Sequence, residues 1–162
     1  MPEQKNRLSR LIDLAACIAL PLFTGFIGSI FVAPRLDNWY AALDKPFFTP
    51  PNWLFGPAWT LLYILIGASL YLIYVSEHSE QRGRAFFAFT VQLILNTLWS
   101  ILFFGLESPL AGLLIIFTLI IAIGWTMLEY YRLRPLAACL LVPYMMWVCY
   151  AAALNLAIVI LN

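Results

Sequence analysis

Charge is what this chain has least of. Asp, Glu, Lys and Arg make up 10% of its 162 residues, where a soluble domain carries about 25%. That leaves too little polar surface to keep a water-soluble globule apart from its neighbours. The net charge is +1 and the basic residues form no run, which argues against nucleic acid as a partner. His78 is the only histidine and sits in a charged loop, so a histidine metal site is excluded. Cys17, Cys139 and Cys149 fall inside apolar stretches with neither metal-ligand nor CxxC spacing, and read as small core residues. There is no Ser–His–Asp, Cys–His or paired-carboxylate set, so hydrolytic catalysis has no machinery. Asp13 and Glu129 lie at the ends of apolar stretches. No carboxylate or lysine is therefore left at mid-membrane for proton pumping, retinal binding or ion coupling.

Hydrophobic residues make up 64% of the chain, and the mean hydropathy is +0.89. Five apolar stretches, 14–32, 57–75, 85–104, 110–128 and 136–161, are each long enough to cross about 30 Å of hydrocarbon at 1.5 Å per residue. The expected fold is all-α and integral to a membrane: one bundle of five transmembrane helices with no further domain. Pro34 and Arg35 should end the first span, and Pro57 should stand in the first turn of the second. Glu107, Ser108 and Pro109 leave so short a hairpin that spans three and four must be antiparallel neighbours. Pro143 should loosen the fifth helix. Lys5, Arg7 and Arg10 before an apolar run imitate a signal peptide, but the run is long and Pro34 disfavours cleavage, so it reads as an uncleaved span. No internal repeat is visible, and five spans fit poorly with the duplicated halves of many transporters.

Lys5, Arg7, Arg10, Arg82, Arg84, Arg132 and Arg134 fall on one side of the membrane, against Arg35 and Lys45 on the other. In a bacterial cell membrane this bias puts the N-terminus in the cytoplasm and the C-terminus outside.

The connector over 34–56 breaks the usual pattern of a polar, flexible loop. It holds Trp39, Tyr40, Phe47, Phe48, Trp53 and Phe55 between prolines that fix their own φ and restrict the residue before them. Stiff and greasy, it reads as a lid at the mouth of a binding site. Three spans offer inward faces. In the third, Gln92 and Asn96 are four apart, with Trp99, Ser100 and Phe103 continuing the face. In the fifth, Tyr144, Trp147, Ala151 and Asn155 share a face, and in the second Trp59, Tyr63 and Gly67 do so. An amide in hydrocarbon must find a partner, so helix–helix bonding is one use of these faces. An apolar small-molecule cavity with few convergent polar groups is the other. Trp53 and Trp125 read as interfacial belt residues. Pro21, Gly25, Gly28 and Ser29 form a small-residue strip suited to close helix packing.

The run W39-Y40-x-x-L43-x-K45-P46-x-F48-x-P50-P51-x-W53-x-F55-G56-P57-x-W59-x-x-L62-Y63 strongly resembles the signature of the TspO/MBR family. So do N96-T97-L98-W99 with F103-F104, and P143-Y144-x-x-W147 followed by A151 and L154-N155. The resemblance extends from Pro21 to Asn155. It implies a five-helix bundle, often a homodimer, whose first loop folds over a pocket for tetrapyrroles such as protoporphyrin IX or heme and for other hydrophobic small molecules. Carried over by motif, the ligand-binding residues would be Trp39, Trp59, Tyr63, Asn96, Trp99, Tyr144, Trp147 and Ala151. Family members are described as porphyrin transporters, as stress sensors and as catalysts of light-dependent porphyrin breakdown. In the last case Trp59 and Trp147 match the reactive pair.

Overall fold

The computed structural model describes residues 7–162; Lys5, counted above with the basic side, lies outside them. Five helical spans are long and apolar enough to cross a membrane. The first is α1 (Arg7–Leu36). A four-residue helix, α2 (Trp39–Ala42), follows in the connector, and the second span is α3 (Asn52–Tyr74). The third is α4 (Glu80–Ser100), which runs on as a π turn over Ile101–Gly105. The fourth is α5 (Pro109–Leu133), and the fifth comprises α6 (Pro135–Leu140) and α7 (Val142–Leu161).

The helix ends follow local chemistry. Ser79 accepts from the Arg82 amide and Ser108 from the Ala111 amide, so each hydroxyl meets one of the orphan N–H groups that open α4 and α5. Pro109 and Pro135 begin their helices, where a missing N–H is tolerated. The fifth span breaks at Leu141, two residues before Pro143, the position where loosening is expected.

Two expected boundaries move. Pro34 and Arg35 lie inside the last turn of α1 instead of ending it. Pro57 sits inside α3, which starts five residues earlier, behind Pro51. A proline near a helix end removes little more than one hydrogen bond, and the apolar flanks favour a longer helix in lipid. The connector therefore shrinks from 34–56 to 37–51.

The spans close into a ring in the order first, second, fifth, fourth, third, with α4 and α5 antiparallel neighbours as their short hairpin requires. Glu107 takes positive φ in that hairpin and pairs with Arg35 across 3.6 Å. Between α1 and α3 the approach is close. A Cβ on Gly67 would lie 2.4 Å from the Ile18 Cα and 2.8 Å from the Cys17 carbonyl oxygen. Pro21, four residues after Cys17, cannot donate to that carbonyl, and Gly67 packs over it. Small residues let backbones meet in a membrane, where no hydrophobic effect draws helices together.

Candidate functional site

The connector is fastened over one end of the ring. Tyr40 is buried among Phe55, Phe103 and Phe104. The Lys45 Nζ donates to the carbonyls of Tyr40, Ala41 and Leu43 at 2.8, 3.0 and 2.8 Å, and lies 5.1 Å from the Tyr40 ring centroid. Asp44 and Asn162 exchange two hydrogen bonds of 3.0 Å, and the Tyr150 hydroxyl donates to the Phe48 carbonyl at 2.6 Å. Burial, and secondarily Tyr150, push the Tyr40 phenol up to about 12.

At the centre, four polar side chains from the second, third and fifth spans form one chain of bonds. The Tyr63 hydroxyl donates to Asn96 Oδ1 at 2.7 Å. Asn96 Nδ2 donates to the Tyr144 oxygen at 3.1 Å, and the Tyr144 hydroxyl donates to Gln92 Oε1 at 3.0 Å. The Gln92 Nε2 at the end of the chain has no partner. Beside it, Trp99 Nε1 donates to Asn155 Oδ1 at 3.3 Å, and Asn155 Nδ2 to the Pro109 carbonyl at 2.8 Å. Apart from the Gln92 Nε2, these groups satisfy one another because hydrocarbon offers no other partner.

The cavity lies to one side of this network. It has a volume of about 320 Å³ and is walled by α1, α3, α4 and the π turn. Trp59, Tyr63, Trp99 and Phe104 line it, with Phe55 towards the connector. The rings form a near-parallel set: Trp59 is inclined 28° to Tyr63 and 33° to Trp99, and Trp99 is inclined 23° to Phe103. Such a wall offers a largely aromatic surface to an apolar ligand.

The motif-derived residues separate into two groups. Trp59, Tyr63 and Trp99 line the cavity; Trp39, Asn96, Tyr144, Trp147 and Ala151 are not among its lining residues. Asn96 and Tyr144 stand behind the wall and hold Tyr63 in place. Trp39 packs edge-on against Phe103 at 5.5 Å. Trp147 contacts Phe55 at 6.4 Å and Tyr150 at 5.7 Å. Ala151 is buried in α7. The hollow expected among the second, third and fifth spans is filled by the polar network, and the open volume lies against the first. Gly25, Gly28 and Ser29 of the small-residue strip line it. A Cβ on Gly25 would fall 2.2 Å from the Tyr63 ring, so the strip serves both close packing and the cavity wall. That strip was the one sequence signal pointing to the first span.

Two indoles stand apart from the site. Trp53 is exposed, and Trp125 faces outward with its Nε1 donating to Glu129 Oε1 at 3.3 Å.

Residues 17–161 match the model of the TspO/MBR family. The chain is 52% identical to the tryptophan-rich protein TspO of Archaeoglobus fulgidus, across 94% of this chain and 98% of that protein. It is 36% identical to the tryptophan-rich sensory protein of Cereibacter sphaeroides, across 94% and 90%. It is also 36% identical to the human translocator protein, across 80% and 78%. Five apolar spans and a match over almost the whole length agree, and this multi-pass membrane chain belongs to the TspO/MBR family.

Proposed function

We propose that the cavity binds a tetrapyrrole, with metal-free protoporphyrin favoured over heme. The observation that carries this reading is the near-parallel ring set of Trp59, Tyr63 and Trp99 along one wall. A planar conjugated macrocycle gains most from such a surface, because ring-on-ring contact adds about 0.5–1.5 kcal/mol beyond area burial. The lining holds no histidine, cysteine or methionine to take up heme iron. Tyr63 is the one oxygen ligand of known type there. To become a phenolate it would have to lose the proton that it now donates to Asn96 Oδ1. The aromatic lining suits a macrocycle, and its donor set does not suit iron.

At about 320 Å³ the cavity is near the lower end of ligand pockets, roughly 300–1,000 Å³, so it would enclose only part of the macrocycle. Titrating the reconstituted protein with protoporphyrin tests this. Saturable quenching of tryptophan fluorescence at micromolar ligand is expected, with heme binding more weakly. A linear, non-saturating decrease contradicts the reading.

Transport is the second reading, and one observation favours it. The fifth span is broken at Leu141 and the third ends in a π turn, and discontinuous helices accompany alternating access in transporters. The human relative's name, translocator protein, points the same way. Porphyrin uptake into sealed liposomes separates movement from binding. The basic side formed by Arg7, Arg10, Arg82, Arg84, Arg132 and Arg134 supports a cytoplasmic N-terminus.

A further inference from the structure

We propose that the ligand reaches the cavity sideways from the acyl layer, between α1 and α3, and not past the connector. The site would thus select flat, largely apolar molecules already partitioned into the bilayer. This rests on the tetrapyrrole reading above.

The cavity's lining is buried on one side and bare on the other. Tyr63, Trp99 and Phe104 are 8%, 8% and 3% exposed, whereas Phe26, which lines the same space, is 64% exposed. Ser29, Gly56 and Thr60 are exposed with it. These four residues belong to α1 and α3, so they mark a mouth between those helices.

The mouth opens into hydrocarbon. Phe26 is ten residues from the end of α1, roughly 15 Å at 1.5 Å per residue, or half the hydrocarbon thickness. The exposed side chains beside it on both helices, Phe23, Ile30, Leu61 and Ile64, are apolar. The rim's hydroxyls are satisfied within their own helices. Ser29 Oγ donates to the Phe26 carbonyl at 2.7 Å, and Thr60 Oγ1 to the Gly56 carbonyl at 2.9 Å. An apolar molecule crossing the rim therefore strips no water and breaks no bond.

The route from the aqueous side is fastened by contrast. The paired bonds of Asp44 with Asn162, and Tyr150 on Phe48, tie the connector to the end of the fifth span. Lifting it breaks several hydrogen bonds at once, each worth about 0.5–1.5 kcal/mol net.

Gly56 supplies the test, because a Cβ added there meets nothing within 4 Å. Gly56→Leu therefore fills the mouth without forcing the helices apart. Phe26→Ala widens it. Tyr150→Phe with Asn162→Ala loosens the connector and leaves the mouth alone. Each protein is reconstituted in phosphatidylcholine vesicles and mixed rapidly with protoporphyrin, with tryptophan quenching followed in time.

Gly56→Leu is expected to slow association and dissociation together, by about tenfold, which marks a blocked passage rather than a lost contact. Phe26→Ala speeds both, and the loosened connector changes neither. Wild-type rates in Gly56→Leu and Phe26→Ala, or faster association in the loosened connector, overturn the sideways route while leaving the binding reading intact. Absence of saturable quenching in the wild type overturns both.

Discussion

The Tyr63 hydroxyl donates to Asn96 Oδ1 at 2.7 Å, and this bond joins the cavity wall to the polar centre of the bundle. The Tyr63 ring lies 5.5 Å from Trp59 and 2.2 Å from where a Gly25 Cβ would stand. Its orientation is thus set from behind by an amide and in front by the absence of a side chain. Asn96 in turn donates to Tyr144, so one residue fixes tyrosines from two other spans.

Asn96→Leu should therefore do more than remove one contact. It leaves two buried hydroxyls short of a partner in an apolar surrounding, with a cost of about 1–3 kcal/mol for such a loss. Thermal unfolding in detergent should show a lower midpoint, and protoporphyrin affinity should fall because the Tyr63 ring is no longer held. A variant as stable as wild type with full affinity would show that the network neither supports the bundle nor positions the wall.

The two tryptophans carried over by motif should behave differently. Trp59→Phe removes an indole face from the cavity and should weaken protoporphyrin binding by roughly fivefold to tenfold, corresponding to about 1 kcal/mol of ring contact. Trp147 does not line the cavity and packs against the lining residue Phe55, so Trp147→Phe should stay within about twofold of wild type on the same scale. If the protein breaks down protoporphyrin under light, the rate should fall first in Trp59→Phe. A greater loss in Trp147→Phe would place the macrocycle on the far side of Phe55.

The connector should detach at high pH. The Tyr40 phenol is raised to about 12 in the folded protein, against about 10 in an unfolded chain. The folded state thus holds its proton more tightly, and the stabilisation is fully present below pH 10 and lost as pH rises through 12. Limited proteolysis of the connector should accelerate across that window. Tyr40→Phe should remove the part of the pH dependence due to this group, and with little loss of stability, because its buried hydroxyl has no hydrogen-bond partner. The nearby Lys45 ammonium keeps its three carbonyls in that variant. An unchanged pH profile would show that Tyr40 does not set the transition.

Much of the fold was legible because a bilayer leaves few choices. Five apolar stretches become five helices, since an unpaired backbone group in hydrocarbon is costly. The hairpin at Glu107–Pro109 makes α4 and α5 neighbours by length alone. The exact ends were less legible. Pro34 and Pro57 punctuate the sequence strongly, yet both lie within helices, because near a helix end a proline costs one bond and the apolar flank outweighs it.

The site was legible as residue types more than as a place. The faces Gln92–Asn96 and Tyr144–Asn155 admit either a ligand cavity or mutual hydrogen bonding, and periodicity cannot choose between them. The structure shows Gln92, Asn96 and Tyr144 bonded to one another and to Tyr63, which fills the space among their spans. The first span carries no aromatic–amide face and gave only its strip of small residues, whose part in the cavity depends on what stands opposite.

The sequence by itself determined that this chain crosses a membrane as a five-helix bundle, that its first connector is stiff and aromatic, and that indoles gather on inward faces. Composition and spacing suffice for these, because they follow from solvent and from local backbone geometry. Only the tertiary structure decided which polar groups satisfy one another, and therefore which side of the bundle stays open. That outcome depends on the ring order of the helices and on the absence of a Cβ at Gly25 beside Tyr63, distances that no single helix contains.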